Sequence, residues 1–418
     1  MNLNIPKEPV IVYNEDFQTI IVRVMFPYEE KEENLAKISL LPNLLSFMNN
    51  RYKTEEEFQI NKKKNYILST NCNRLIVGTT HYLCFSIVIP DSKVLGFNNL
   101  DKQFEFLKEM IYNPKIDDDG FISFELEREK TNLNMSIDNN MKKLGPYHSI
   151  RSLELIDDEG ILSRCVENHR EQIDDITSRN LYDFYMNILK EYRPAIFVFG
   201  NVNKNEINSL CDKYLYNDYN GKTVIKKNYN HFLKVKNHEV KLVEEDSNFK
   251  DSALSFFYKI DNFNEDDFNC LSILNALLSS LSSRLLDKTL RDENDLVYSS
   301  RTLSYQRYGV FEITTYINKD NKDIVIEKIR EVMESIKKPE NINDFLANIK
   351  ERKRLGLIKM LDDKFTLFND YIMEVLEISK STKDIYNEVL EITSEDISKF
   401  VDRLVLDTIY FIKEESHE

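Results

Sequence analysis

The sequence predicts an α+β protein of two homologous domains in tandem, each a mainly antiparallel sheet packed with helices. Three observations carry that expectation. A chain of 418 residues exceeds one ordinary hydrophobic core. Strand-type and helix-type runs recur in similar order in its two halves. The segment Ile176-Thr177-Ser178 with Leu181 and Phe184 returns as Ile392-Thr393-Ser394 with Ile397 and Phe400, each time ahead of a short apolar run. The expected boundaries are 1–215 for the first domain, 216–240 for a linker and 241–418 for the second.

In the first half, residues 17–26 read as a strand of β-branched and apolar residues. Leu35 to Phe47 reads as an apolar helix interrupted at Pro42, since proline has no N–H to donate. Strands are expected at 66–77 and 80–90, where Val, Ile, Thr, Tyr and Phe alternate with polar residues. Helices follow over Phe104–Tyr112, near 121–138 and within 162–190, before the short buried strand 195–200 that ends at Gly200. The stretch 216–240 is rich in Asn, Lys and Tyr without helical periodicity, which marks a connection.

The second half repeats the scheme, with strands at 253–260, 296–304, 309–317 and 407–412. Between the first two lies a helix whose apolar stripe is Phe268, Leu271, Leu274, Leu278, Leu281 and Leu285. A helix over 322–336 ends before Pro339 and further helices follow. Ser178 and Ser394 are each placed to cap the helix after them.

Bulk composition narrows the function. With 42% hydrophobic residues, 25 Phe and 22 Tyr the chain is a folded protein. A formal charge of −15 disfavours a nucleic-acid partner, and Lys62-Lys63-Lys64 and Lys226-Lys227 are too short to offset it. No apolar run approaches membrane-spanning length, so no membrane partner is expected. Five scattered cysteines without a Cys-x-x-Cys pair suit reduced thiols and a cytoplasmic location. The six histidines, including His238 and His417, hold no pair three or four apart, so no local zinc site can be assembled.

The most informative stretch is 282–300, where a buried helix passes through a charged turn into a strand. Arg291 stands in the last turn of the helix and Tyr298 on the strand, seven positions later. A guanidinium and a phenol on two rigid elements are both donors, and can converge on one carbonyl or carboxylate. The alternative is an ordinary ion pair of Arg291 with Asp292 or Glu293.

Ser282-Ser283-Arg284-Leu285, Leu290-Arg291 and Leu296-Val297-Tyr298 resemble a segment in the second domain of the pitrilysin or insulinase-like zinc peptidases. The resemblance is to the short two-domain subunits of processing-peptidase type and spans essentially the whole chain. It implies that Arg291 and Tyr298 bind peptide substrate next to a zinc ion, while Arg284 is structural. Asp295 stands where the family usually has glycine.

Catalytic members carry His-x-x-Glu-His on the first helix of domain one, two histidines holding zinc and the glutamate activating water. Arg51-Tyr52-Lys53-Thr54, which resembles a downstream family motif, aligns that helix here with Ser39-Leu40-Leu41-Pro42-Asn43. Ser39 and Asn43 replace the histidines and Pro42 the base, so this is a degenerate zinc site with no metal and no catalytic residue of its own. The third ligand, a glutamate, is expected near 133–137, which contains no acid. The resemblance therefore implies a non-catalytic subunit of a heterodimeric zinc peptidase. Zinc is expected in a homologous catalytic partner, and leader or precursor peptides are the expected substrates. The alternatives are a structural subunit of a larger complex and a stand-alone peptide-binding homodimer.

Overall fold

The computed structural model describes residues 2–157, 159–216, 220–236, 239–279 and 285–414. Ser282, Ser283, Arg284, Leu281, His238 and His417 lie outside the described residues. The chain forms two compact units, and these do not follow chain order. The first comprises Met1–Asp138, Arg164–Tyr229 and Phe368–Ser379; the second comprises Asn139–Ser163, Asn230–Leu367 and Lys380–Glu418.

The first unit holds a five-stranded sheet of β1 (Val10–Tyr13), β2 (Thr19–Glu29), β3 (Ser69–Val77), β4 (Thr80–Pro90) and β5 (Ala195–Gly200), in the order β1-β5-β2-β4-β3. Only β1 and β5 run parallel; the other neighbours are antiparallel. Strand β2 continues past the expected end at 26, through Pro27. Its pairing with β5 stops at Met25, so the N–H that proline lacks would have had no strand to bond on that side.

The second unit repeats this arrangement with β6 (Lys241–Asp246), β7 (Ser252–Ile260), β8 (Val297–Tyr305), β9 (Val310–Ile317) and β10 (Leu404–Lys413), in the order β6-β10-β7-β9-β8. Again only the first and last strands in sequence, β6 and β10, pair in parallel. Two sheets of five strands with one strand order are two copies of one α+β design.

The repeated segment has the same local structure in both copies. Thr177 accepts from the Asn180 amide N–H while the Asn180 side chain accepts from the Thr177 N–H; Thr393 and Asp396 form the same reciprocal pair. The caps are thus the threonines, and Ser178 and Ser394 are first helical residues, one position later than the sequence reading. The threonine suits the cap because its backbone is extended there, with ψ of 160° and 168°.

One face of the second sheet carries Leu254, Phe256, Phe311 and Ile313 against helices that contribute Leu271, Leu274, Val325 and Ile397, all buried. The stretch 216–240 is divided: Val224–Lys226 pairs with Asn2–Asn4, and the Tyr229 hydroxyl donates to the Leu376 carbonyl within the first unit. From Asn230 to Leu367 the chain belongs to the second unit. No helix among the described residues is long and apolar enough to cross a membrane.

Candidate functional site

Helix α1 (Leu35–Leu45) carries Ser39, Pro42 and Asn43, the three positions expected to align with the zinc motif. It is not interrupted at Pro42 as expected but runs through it. The proline forfeits one backbone bond, whereas Leu40, Leu41, Leu44 and Leu45 are buried on either side of it, and that burial outweighs the loss. Ser39 directs its hydroxyl to the Leu35 carbonyl at 2.7 Å, one turn back along its own helix. Pro42 offers neither donor nor acceptor in its side chain. Asn43 donates from Nδ2 to Oε2 of Glu129 at 3.1 Å.

Glu129 lies on helix α2 (Ser123–Met141), one turn before the window in which an acid was expected. Its other oxygen accepts from Nε of Arg128 at 3.1 Å, and the residue is only 7% exposed. Arg128 also reaches Glu125 through Nη1 at 2.8 Å, and Lys115 stands 3.7 Å from the same carboxylate. Asn43, Phe47, Lys115, Phe121, Glu125 and Arg128 border a cavity of about 120 Å³. Two carboxylates one helical turn apart are balanced here by a guanidinium and an ammonium. The charge that a divalent cation would bring is already supplied by the protein.

Zinc does not fit this set. It requires three or four nitrogen, sulfur or carboxylate ligands with free lone pairs. Ser39 is turned away, Pro42 has nothing to offer, Asn43 presents its NH₂ group, and both oxygens of Glu129 are occupied. No group of three or more His, Cys, Asp or Glu placed to hold a metal occurs among the described residues.

In the second unit, Arg291 lies in a widened turn, Lys288–Asp292, that ends a helix. Its Nε is 3.1 Å from Oδ1 of Asp292 and its Nη1 3.6 Å from Oδ2 of Asp287. The pairing with Asp292 was the alternative weighed from sequence. Asp295 takes a left-handed backbone, φ +53°, and its N–H donates to the Arg291 carbonyl at 2.9 Å, while Leu296 N–H reaches the Leu290 carbonyl at 2.8 Å. The aspartate therefore occupies a conformation suited to glycine. Tyr298 sits at a bulge, skipped in the register between β8 and β9, with 60% of its surface exposed. Its hydroxyl makes no hydrogen bond among the described residues. Tyr298 lies on an edge strand, since β8 pairs only with β9.

Residues 175–345 match a family model described as Peptidase M16 inactive domain. A Bacillus subtilis (strain 168) protein named probable inactive metalloprotease YmfF is 24% identical over 411 residues, covering 96% of this chain and 95% of its own. Both findings make the chain similar to inactive, pitrilysin-like M16 proteins.

Solved structures share the M16 fold over nearly the full chain. A conserved protein from Enterococcus faecalis V583 superposes with a TM-score of 0.85 at 20% identity, over 98% of this chain and 96% of its own. A Pseudomonas fluorescens protein described as a peptidase M16 inactive domain gives 0.73 at 12%, over 100% and 98%. The M16 reading of the sequence overlooked Glu125, Arg128 and Lys115 as parts of the rebuilt site. The available signal was Glu125 and Glu129 four residues apart, hence on one helix face, with Arg128 beside them.

Proposed function

We propose that the chain is the non-catalytic subunit of a heterodimeric zinc peptidase, binding peptide and lending Arg291 and Tyr298 to the zinc site of a homologous partner. The observation that carries this reading is the interior of the first unit, where Asn43 and Arg128 consume both oxygens of Glu129 and leave no ligand set for metal. The relative named as a probable inactive metalloprotease points the same way.

Tyr298 supports the substrate role, being an exposed phenol on an edge strand. An extended peptide bound alongside a sheet edge is held mostly through its backbone. A phenol and a guanidinium aimed at a developing oxyanion stabilise it without metal of their own. Arg291 would have to release Asp292, which costs little because exposed ion pairs contribute only about 0–1 kcal/mol.

A structural-subunit reading is favoured by the same ion pairs, which already give Arg291 partners within its own turn. The deciding experiment pairs this chain with a homologous chain from the same genome that retains His-x-x-Glu-His. Zinc content and peptide cleavage are measured for each chain and for the mixture. Cleavage by the mixture alone, slowed about 10²–10³-fold by Arg291→Ala with Tyr298→Phe while the complex persists, supports the substrate role. Full activity of the zinc-bearing chain by itself moves the structural reading ahead.

A further inference from the structure

The second unit contains an open cleft of about 450 Å³ bordered by three helices, Phe268–Ser279, Asn343–Asp362 and Thr382–Glu391. Its size is that of a small-molecule site. Lys353 lines it, half-buried, with Nζ donating to Oγ of Ser272 at 3.1 Å. Among the described residues no carboxylate comes within ion-pair distance of this ammonium. Burial alone holds it below the usual lysine range.

An unpaired, partly desolvated cation is costly unless something compensates it. Its setting is unusual for this chain: acids outnumber bases 71 to 56, yet none of the residues lining the cavity is acidic. Around Lys353 stand further donors. Asn275 accepts from Thr302 through Oδ1 at 2.6 Å, which leaves its NH₂ group to donate, and Tyr386 joins the lining. Arg352 and Thr382 also line the cavity, and Ala276, Ile349, Leu357 and Ile385 form an aliphatic patch. A cation and neutral donors at one place, with aliphatic walls beside them, is the arrangement that a carboxylate on an apolar stem requires.

We propose that this three-helix cavity binds a monocarboxylate with an apolar stem, its carboxylate on Lys353 and Ser272 and its stem against Ile349, Leu357 and Ile385. A short fatty acid and the free C-terminus of a peptide ending in an aliphatic residue share this chemistry. The site stands apart from the peptidase reading, since it uses neither Arg291 nor Tyr298.

The test is calorimetric titration of the full chain with octanoate, octanol, N-acetyl-leucine and N-acetyl-leucine amide. Saturable binding is expected for octanoate or N-acetyl-leucine, at least about tenfold tighter than for the matched neutral compound. The tighter of the two acids identifies the source. Lys353→Met keeps the apolar stem and should abolish the preference for the acid while leaving the protein folded. Gly356→Leu supplies a second check, because a Cβ there meets no atom within 4 Å, so the side chain has room beside the cavity and the helix gains propensity. It should weaken binding without lowering the melting temperature. Equal affinity for acid and neutral compounds, an unchanged preference in Lys353→Met, or no saturable binding of either acid overturns the proposal.

Discussion

The carboxamide of Asn43 donates to Oε2 of Glu129 across 3.1 Å, tying α1 to α2. Replacing Asn43 by Asp turns the donor into a second anion beside a nearly buried carboxylate. A lost hydrogen bond to a charged group costs about 1.5–3 kcal/mol, and repulsion adds to it. Urea unfolding at pH 7 should register a loss of this size or larger. A variant as stable as wild type at pH 7 would show that the contact is incidental.

Pro42 should be a stability defect that the surrounding leucines tolerate. Pro42→Ala restores an N–H for the Ile38 carbonyl and removes the ring from the helix interior. Proline in a helix interior is about 3 kcal/mol worse than alanine, and part of that is already relieved by local relaxation. The expectation is a gain of about 1–2 kcal/mol in chemical denaturation. No gain would mean that the proline is accommodated without strain.

Glu30 and His81 lie 3.7 Å apart in the first unit and would ordinarily be taken as an ion pair. Burial pushes the Glu30 carboxyl from about 4.5 up to about 7, against the opposing pull of Arg164 and Arg74. It also pushes His81 from 6.5 down to about 4. Between pH 4 and 7 both groups are therefore mainly neutral. For Glu30 the folded state holds the proton more tightly, so its contribution is fully present below pH 4.5 and is lost as pH rises through 7. Glu30→Gln should consequently exceed wild type by up to about 3 kcal/mol at pH 8 and converge with it at pH 4. A stability difference that does not vary with pH would contradict this.

Arg291 and Tyr298 should separate function from folding. Tyr298 is mostly exposed and the pairs of Arg291 are near the surface, so Arg291→Ala with Tyr298→Phe should shift the unfolding free energy by less than about 1 kcal/mol. Asp292→Asn, which loosens the Arg291 side chain, should leave cleavage by the two-chain complex unchanged or faster. A large fall in stability for the double variant would mark both residues as structural.

Asp295 holds a backbone that costs a side-chain-bearing residue about 1–2 kcal/mol, less for aspartate than for most. Asp295→Gly should therefore stabilise the folded state slightly, by about 0.5–1 kcal/mol in differential unfolding, without moving Arg291. Asp295→Val, which tolerates this conformation poorly, should do the reverse.

Much of this was legible in sequence, for identifiable reasons. The long central strands announced themselves because both of their faces are buried: every residue of β5 and of β7 is buried. The short outer strands β1 and β6 did not. Strand β6 has no buried residue and carries Lys241, Glu244, Glu245 and Asp246, so it reads as a solvated loop, and only its parallel pairing with β10 makes it a strand. Glu129 fell just outside the expected window because the ligand was located by counting along the chain, whereas helix phase decides which acid faces Asn43. The Leu144–Ile156 helix gave no sign of which unit it would complete, because an amphipathic stripe does not name the surface that covers it.

The trading of segments between units constrains how the protein is made. The Phe368 ring lies tilted 5.7 Å from that of Phe199, the Arg23 guanidinium lies 5.3 Å from the Phe368 ring centre, and Glu377 pairs with Lys227, all within the first unit. A ribosome that has finished residue 229 has therefore not yet supplied the piece that covers Phe199. The first unit must wait, incompletely closed, until residues 368–379 have been made. The unit that holds Phe199 is closed by residues made more than 150 positions later, and a nascent chain stalled before Phe368 should be the form that chaperones hold.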